Sequence, residues 1–293
     1  MKTIITLTLI ISGTITGLFG QIKGQETNEI PFYQGGISIE NVSGKIAFKS
    51  DGTPDINLNL KIGGKKSNEN SIGFRNGESS GIEGNEFNLK PNYSVSGSFG
   101  KTQSYKFDIT PVINGLVPVN PVKNTQILIE LPENFVFIRA NQSVKTHKEG
   151  NKTMIALNLN NKYLTPLVLV FNTNGKGVSI TKEIVGNAMK KGSVVFKIRL
   201  TNVGKTTLND ILVEDNFDSR DFQGKGSQFE NYFGENNDMR TIWKHKIQTL
   251  KPGDTVELSY EVMVLNPVKD VTLDSARATD KDELIGVSNR IKL

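Results

Sequence analysis

Apolar residues recur at every second position along most of this chain, and this period of two limits what it can fold into. In the segment Asp55 to Ile62, the residues Ile56, Leu58, Leu60 and Ile62 all fall on one side. The same alternation recurs at residues 105–109, 127–131, 155–159, 194–200 and 256–264. Successive side chains of a strand point to opposite faces, so this pattern predicts strands with one buried face. The continuous apolar run Leu167 to Phe171 predicts a strand covered on both faces. We therefore expect an all-β fold.

The absence of cysteine removes several kinds of chemistry from a chain of 293 residues. Disulfide scaffolds, thiolate metal sites and cysteine nucleophiles are excluded together. The two histidines leave few routes to a zinc site or to a serine or threonine nucleophile. No nucleophile elbow or HExxH motif is present. We therefore predict no catalytic residues, no cofactor, no metal site and no enzymatic activity.

Residues 1–21, MKTIITLTLIISGTITGLFGQ, have the pattern of an export signal. One lysine is followed by an uncharged, apolar and threonine-rich run and then by small and polar residues, as in a secretory signal peptide. The apolar run is shorter than the roughly 20 residues that a membrane-spanning helix needs. No second run of this kind follows, so we expect a secreted or cell-surface bacterial protein with no membrane span in the mature chain.

The positive charge of the chain is spread thinly. Lysine and arginine number 35 against 30 acidic residues, which gives a formal net charge of +5 and a pI near 9.1. The only basic doublets are Lys65-Lys66 and Lys190-Lys191. Proteins that bind nucleic acid concentrate basic residues into a stripe that neutralises neighbouring phosphates. We therefore expect no nucleic-acid partner.

The composition changes at two places after the signal peptide. Between Gly63 and Gly100, glycine, serine and asparagine supply 21 of 38 positions, which is typical of hairpin loops or a mobile stretch. The segment from Asn172 to Gly177, NTNGKG, follows an apolar strand and precedes a new alternating one. We therefore place a first antiparallel β-sandwich domain at residues 26–175 and a second at residues 176–293.

Segments on the two sides of this boundary resemble each other in sequence. ILIELPENFVF from Ile127 resembles ILVEDNFDSRDF from Ile211, and two further strand segments follow in the same order. The offset changes only from 84 (211 minus 127) to 89 (258 minus 169). Such a nearly constant offset favours a diverged repeat of one supersecondary unit, although two unrelated sandwiches can share strand spacing.

Residues 176–293 carry a series of ordered motifs. They are VSITKE at Val178, LTNVG at Leu200, VEDNF at Val213, IWKHKIQTLKPGDTVELSYEV at Ile242 and the closing ATDKDELIGVSNRIKL. In this order they resemble the conserved-repeat immunoglobulin-like module of prokaryotic surface proteins, known as domain of unknown function eleven. The resemblance implies an antiparallel immunoglobulin-like sandwich. Trp243 lies two residues farther from the turn than in the family, and His245 takes the in-register place on the same strand face.

Two GKT sequences have other interpretations than phosphate binding. Gly204-Lys205-Thr206 and Gly100-Lys101-Thr102 lack the glycine five residues earlier that a phosphate-binding loop needs. We interpret both as turns.

Two acidic groups are weighed as calcium ligands. They comprise Asp215, Asp218 and Asp221, and Asp280, Asp282 and Glu283. Their spacing does not define a calcium cage, and solvated loop charge is the favoured interpretation, with calcium bound between modules as the alternative.

The sole tryptophan and the two histidines are assigned structural places. Trp243 is expected in the core between two sheets, with a solvent-facing carbohydrate platform as the alternative. We place His147 in an exposed turn, and we interpret His245 as a packed strand residue rather than a ligand or base.

The sequence therefore predicts a structural or adhesion protein that presents a binding surface on tandem sandwiches. The alternative is a glycan-binding or partner-binding module of an envelope assembly. The expected partner is an envelope protein or a glycan of unknown identity. Because loops carry most binding residues, the segment from Gly63 to Gly100 is the candidate contact region.

Overall fold

The regular secondary structure of the described residues is all β-strand. The computed structural model describes residues 32–64, 70–99, 101–188, 190–233, 239–267 and 272–292. Within these residues there is no helix, and the predicted all-β fold is confirmed. The predicted signal peptide, residues 1–21, lies outside the described residues.

The strands follow one another closely. Up to residue 172 they are β1 (Phe32–Tyr33), β2 (Ile37–Phe48), β3 (Pro54–Gly64), β4 (Ser71–Phe74), β5 (Ser79–Gly81), β6 (Glu86–Leu89), β7 (Tyr93–Phe99), β8 (Thr102–Phe107), β9 (Pro111–Ile113), β10 (Val117–Pro118), β11 (Val122–Leu131), β12 (Val136–Ala140), β13 (Lys145–Glu149), β14 (Lys152–Lys162) and β15 (Leu167–Asn172). From residue 178 they are β16 (Val178–Val185), β17 (Gly192–Asn202), β18 (Leu208–Asp218), β19 (Phe222–Gly224), β20 (Phe229–Phe233), β21 (Met239–Leu250), β22 (Thr255–Val264), β23 (Thr272–Leu273), β24 (Arg277–Asp280), β25 (Glu283–Val287) and β26 (Ile291–Lys292).

Four larger sheets carry most of these strands. Their strand orders are β13-β14-β11-β2-β3-β6, β12-β15-β8-β7, β16-β17-β22-β19 and β20-β21-β18-β24-β25. Smaller sheets have the orders β5-β4-β9, β1-β10 and β23-β26. Pairing is mostly antiparallel, but β2 pairs with β11 in parallel, as β1 does with β10. Alternation correctly located β3, β11, β14, β17 and β22, because the pattern is a local property of each strand.

The contacts between residues divide the described chain into two compact units. Unit 1 comprises residues up to 97 together with 105–130 and 141–168. Unit 2 comprises residues 98–104, 131–140 and 169 onward. Both units are discontinuous in the sequence, and the domain limits 26–175 and 176–293 stay predictions.

The core of unit 1 lies against the inner face of its six-stranded sheet. Ile56, Leu58, Leu60 and Ile62 of β3 are buried, as alternation predicts. An aromatic cluster covers the end of β2, where the Phe48 ring meets the Tyr105 ring edge-on at 4.9 Å between centroids. The Tyr105 hydroxyl donates a hydrogen bond to the carbonyl of Gly52 at 2.8 Å, so this buried polar group is satisfied.

The core of unit 2 lies between a four-stranded and a five-stranded sheet. Inward side chains of β17 and β22 meet those of β18 and β21, which gives the two-layered packing of a sandwich. Phe196, Phe217, Trp243 and Tyr260 are the large side chains at its centre. Aromatic side chains dominate the burial here because each removes a large apolar area from water.

The strands of the two predicted repeat copies are distributed between sheets in the same way. β11 and β14 are neighbours in one sheet, and β15 belongs to a different sheet. β18 and β21 are likewise neighbours, and β22 belongs to a different sheet. This placement agrees with two copies of one supersecondary unit.

Candidate functional site

Where the structure describes it, the predicted contact region has short strands joined by turns rather than open loops. Its described residues form β4, β5, β6 and β7, and Ile72, Phe74, Phe87 and Leu89 are buried. These few apolar side chains anchor a segment whose remaining positions are mostly polar and exposed. The glycine-rich and serine-rich composition hid this anchoring, because turn residues outnumber apolar ones.

The outer part of this region ends in a strand at a sheet edge. β7 is the last strand in the order β12-β15-β8-β7. Tyr93 and Val95 of β7 are 43 % and 51 % exposed. The Tyr93 ring also rests against the Phe107 ring at 5.8 Å, so the first of these side chains is fixed by the core below it. An edge strand with exposed apolar side chains is a place where another chain can pair.

Trp243 is a core residue, as the favoured interpretation holds. Its side chain is 1 % exposed and its ring stacks on Tyr260 at 4.4 Å. The indole Nε1 donates a hydrogen bond to Gln228 Oε1 at 3.2 Å. The alternative of a solvent-facing carbohydrate platform at Trp243 is therefore wrong.

The two histidines lie on strands and are packed differently. His245 is half-buried and its ring stacks on Trp243 at 5.8 Å, which confirms the shared strand face. His147 is exposed, as expected, but it belongs to β13 and not to a turn.

The interpretation of the acidic groups as solvated loop charge is wrong for three of their members. Asp215, Asp280 and Glu283 are buried. Asp215 follows Ile211 and Val213 in the inward phase of β18, so the alternation that buries those residues buries it too. The burial of Asp215 could have been predicted by extending the apolar alternation of β18 to this charged residue.

The remaining members of these groups are partly or fully exposed, and one of them is paired with a neighbouring arginine. The Arg220 guanidinium donates to Asp218, with Nε 2.9 Å from Oδ1, and this hydrogen bond lowers the pKa of that carboxyl. Partial burial instead raises the pKa of Asp221. Asp282 is exposed, as predicted. Across the described residues, no three histidine, aspartate or glutamate side chains converge as a metal site.

A buried cluster of polar groups surrounds Asp215. The Lys182 ammonium, on β16 of the opposite sheet, donates to Asp215 Oδ1 at 2.7 Å, and both side chains are at most 1 % exposed. The Tyr260 hydroxyl donates to Asp215 Oδ2. The backbone N–H of Asn216 donates to Oδ1 at 2.9 Å. The carbonyl of Asp274 accepts a further bond from Lys182 Nζ at 2.9 Å.

Aromatic rings enclose this cluster. Lys182 Nζ lies 4.9 Å from the centre of the Phe196 ring, a distance suited to a cation–π contact. The Phe196 ring stacks on Tyr260 at 5.2 Å, and Tyr260 stacks on Trp243. Burial and the Asp215 carboxylate raise the pKa of Tyr260 well above its ordinary value, so its hydroxyl stays a donor at neutral pH. The ion pair is therefore shielded from bulk solvent, with both side chains at most 1 % exposed.

A second buried polar network in unit 2 is organised by Glu283. Its Oε1 accepts hydrogen bonds from the backbone N–H of Lys101 at 2.8 Å and from Asn172 Nδ2 at 2.7 Å. Lys176 Nζ lies 2.7 Å from Asp280 Oδ2. These bonds join segments of unit 2 that are far apart in sequence, so the two acidic residues contribute to holding that unit together.

One row of amide and hydroxyl side chains crosses the outer face of the six-stranded sheet. In register, Gln126 of β11 is opposite Ser43, Ser43 is opposite Asn59, and Asn59 is opposite Asn88. Each has a buried apolar neighbour on its strand, namely Val42, Leu58, Phe87 and Ile127, so the row lies on the face away from the core of unit 1. Side-chain amides both donate and accept hydrogen bonds, which suits them to neutral polar ligands.

The described residues define an all-β protein of packed sheets. In comparisons with known proteins, no family model and no curated protein matches this chain. The resemblance of residues 176–293 to the conserved-repeat module therefore stays a prediction. Over the residues that the structure describes, no helix has the length and apolar character needed to cross a membrane.

Proposed function

We propose that this chain is a non-catalytic exported or cell-surface protein with a structural or adhesive role. In this proposal, tandem β-sandwiches present a binding surface to an envelope protein. The export step rests on the signal-like residues 1–21. The binding surface rests on the edge strand β7, whose exposed Tyr93 and Val95 stand on an anchored segment.

The edge strand β7 is the main support for the proposal. In this strand, exposed apolar side chains of the predicted contact region lie at the edge of a sheet. A protein partner can add a strand to such an edge, with main-chain hydrogen bonds supplying affinity and side chains supplying specificity. The buried Ile72 and Phe87 nearby hold the segment in place before binding. A preorganised surface loses less conformational entropy on association.

The binding step is tested with the full mature chain and the envelope fraction of the source cells. We expect Val95→Glu to lower cosedimentation with that fraction at least about tenfold, because a charge on an edge strand opposes strand addition. Val185→Glu is the matched control, since Val185 is 46 % exposed on a strand of unit 2. Equal binding by wild type and Val95→Glu would remove β7 as the contact surface.

The export step has its own test. Residues 1–21 fused to alkaline phosphatase should give enzyme activity outside the cytoplasm, because this reporter is active only after export. A fusion that begins at residue 26 is the control. No phosphatase activity from either fusion would contradict the proposed localisation.

The second candidate function is glycan binding by the outer face of the six-stranded sheet. The row of Ser43, Asn59, Asn88 and Gln126 favours it, because sugar hydroxyls need paired donors and acceptors. A glycan array probed with the mature chain tests this function. Signal that disappears in the double variant Asn88→Ala and Gln126→Ala, but not in Asn209→Ala, would support it; absence of any signal would remove it.

A further inference from the structure

The side chains of Lys182 and Asp215 are the two groups that condense to form an amide. An ammonium and a carboxylate together contain the atoms of an amide and one water molecule. Lys182 Nζ is 2.7 Å from an oxygen of the Asp215 carboxyl group, and both side chains are at most 1 % exposed. Among the ion pairs of the described residues, every other pair has a partner that is at least 23 % exposed.

We propose that Lys182 and Asp215 condense to an intramolecular amide that covalently joins β16 to β18 across the core of unit 2. The proposal concerns chemistry inside the core and does not depend on what the outer surface binds. Such a bond would close a covalent loop between the two sheets of the sandwich. It would also replace two buried charges by one neutral group.

The bond changes balance without any co-reactant. One ammonium proton moves to the carboxylate, which leaves a neutral amine and a neutral acid in the pair. Nζ then forms a bond to Cγ of Asp215, and the electron pair of the C=O bond moves to oxygen. Loss of a second proton from nitrogen, and its transfer to the departing oxygen, releases that oxygen as water. The product is an amide that keeps the third proton on nitrogen.

The surrounding groups are placed to assist this reaction. The Tyr260 hydroxyl donates to Oδ2, where negative charge develops when Nζ attacks Cγ. Such a donor, fixed before the reaction, stabilises the tetrahedral intermediate. The carbonyl of Asp274 holds the lysine side chain by accepting from Nζ at 2.9 Å. Fixing the two reacting groups against each other replaces an unfavourable bimolecular encounter, with effective molarities on the order of 10⁵ M or more.

Exclusion of water favours the product. In bulk water, hydration stabilises the separate ions and hydrolysis competes with condensation. In this core the ions have lost their hydration, and a buried ion pair recovers that loss only in part. The Phe196 ring lies beside Lys182, and Tyr260, on which Trp243 stacks, contacts Asp215, so the pair is shielded from solvent. The amide therefore relieves a desolvation cost that the ion pair keeps.

Mass spectrometry of the denatured full chain tests the proposal directly. We expect the wild type to be lighter than its sequence mass by one water molecule after prolonged incubation at neutral pH. Lys182→Arg keeps the positive charge but removes the amine, so it should have its full sequence mass. Protease digestion should give a branched peptide that joins Lys182 to Asp215, with no cleavage after Lys182. A wild type of full mass, cleaved normally after Lys182, would overturn the proposal.

Two further variants keep the test specific. Lys176→Arg is the matched control, because Lys176 lies equally close to Asp280 but is 28 % exposed; it should retain the water deficit. Tyr260→Phe should slow formation of the bond on the order of 10²-fold, since it removes the donor to the developing charge. A Tyr260→Phe variant that reacts at the wild-type rate would remove that role.

Asn289 is an alternative partner for Lys182, and mass spectrometry distinguishes the two possible products. Its side-chain amide bonds the backbone of Lys182, with Oδ1 accepting from the lysine N–H at 2.9 Å. Condensation of Lys182 with that amide would release ammonia instead of water. A deficit of one ammonia with branching at Asn289 would overturn the assignment to Asp215.

Discussion

The indole ring of Trp243 stacks on the phenol ring of Tyr260, with centroids 4.4 Å apart and an angle of 23° between the planes. The two residues belong to β21 and β22, which lie in different sheets of unit 2. Their contact therefore joins the two layers of the sandwich. It also holds the Tyr260 hydroxyl against the carboxylate of Asp215. One aromatic pair thus supports both the packing of the core and the geometry of the buried ion pair.

Removal of the indole should destabilise unit 2 strongly. We expect Trp243→Ala to lower the free energy of unfolding by about 3–5 kcal/mol, because it leaves a large cavity between the sheets. Urea denaturation followed by far-UV circular dichroism measures this, since the variant has no tryptophan for fluorescence. Phe233→Ala is the control, because Phe233 is 75 % exposed and should change stability by less than about 0.5 kcal/mol. Equal losses in both variants would contradict a core role for Trp243.

Alkaline pH should destabilise unit 2 through Tyr260. Burial, followed by the Asp215 carboxylate, raises the pKa of Tyr260 in the folded chain, whereas the unfolded phenol ionises near its usual pKa of about 10. Between these two pKa values the folded state keeps a proton that the unfolded state releases. The contribution is therefore fully present below about pH 10 and falls by up to about 1.4 kcal/mol per pH unit above it.

Tyr260→Phe isolates this effect from the other groups that titrate in the same range. Near neutral pH, in protein in which Lys182 and Asp215 are still an ion pair, we expect the variant to lose about 1.5–3 kcal/mol, the usual contribution of a hydrogen bond to a charged group. Its stability should then fall less steeply than that of the wild type between about pH 10 and about pH 12. Urea midpoints over this range measure the difference. Parallel pH profiles would show that Tyr260 does not titrate differently on folding.

Asn202 should be essential to the turn after β17. Its Nδ2 donates to the carbonyls of Thr206 and Leu250 at 2.9 Å each, and its Oδ1 accepts from the N–H of Gly204 at 2.9 Å. Asn202→Ala removes all three bonds, and each buried group that is left unpaired costs about 1–3 kcal/mol. Thermal unfolding of this variant, compared with the exposed Asn209→Ala, measures the loss. A loss confined to Asn209→Ala would contradict the role of Asn202.

Gly44 should tolerate no side chain, because it lies where β2 and β3 approach closely. Its φ is +139°, and a Cβ atom at this position would lie 2.1 Å from the carbonyl oxygen of Asn57. We expect Gly44→Ala to destabilise unit 1 by more than the roughly 1–3 kcal/mol that backbone strain alone costs. Gly81→Ala, where a Cβ atom meets nothing within 4 Å, is the control for denaturation experiments. Equal stability of the two variants would show that the strands can separate to admit a methyl group.

The sequence predicted those parts of the fold that depend on neighbouring residues. Alternation is a local property, so β3, β17 and β22 could be placed without knowledge of their partners. The parallel pairing of β2 with β11 could not, since it joins segments far apart in the chain and no local pattern marks it. Turn residues between Gly63 and Gly100 also concealed the buried Ile72 and Phe74, because composition averages over positions with opposite environments.

The Lys182–Asp215 cluster was not predicted from the sequence, because the charge of each residue indicates the surface whereas its place in the strand alternation indicates the core. Lys182 follows Val178 and Ile180 in the inward phase of β16, and Asp215 follows Val213 in β18. Charged residues are almost never fully buried unless they are paired, so each alone indicates the surface. Only the packing of two sheets shows that each has the other as its partner. A search for opposite charges in the inward phase of two strands would have located the pair.

The parallel pairing of β2 with β11 has a consequence for how the chain is made. Asn41 faces Asn124, so β2 leaves the ribosome long before the strand that covers one of its two sides. β3 can cover the other side at once, because it follows directly in the chain. In the interval, the nascent chain exposes a ready template for another copy to pair with, which is a route to aggregation. A holding chaperone could bind the exposed edge of β2 until β11 has been synthesised.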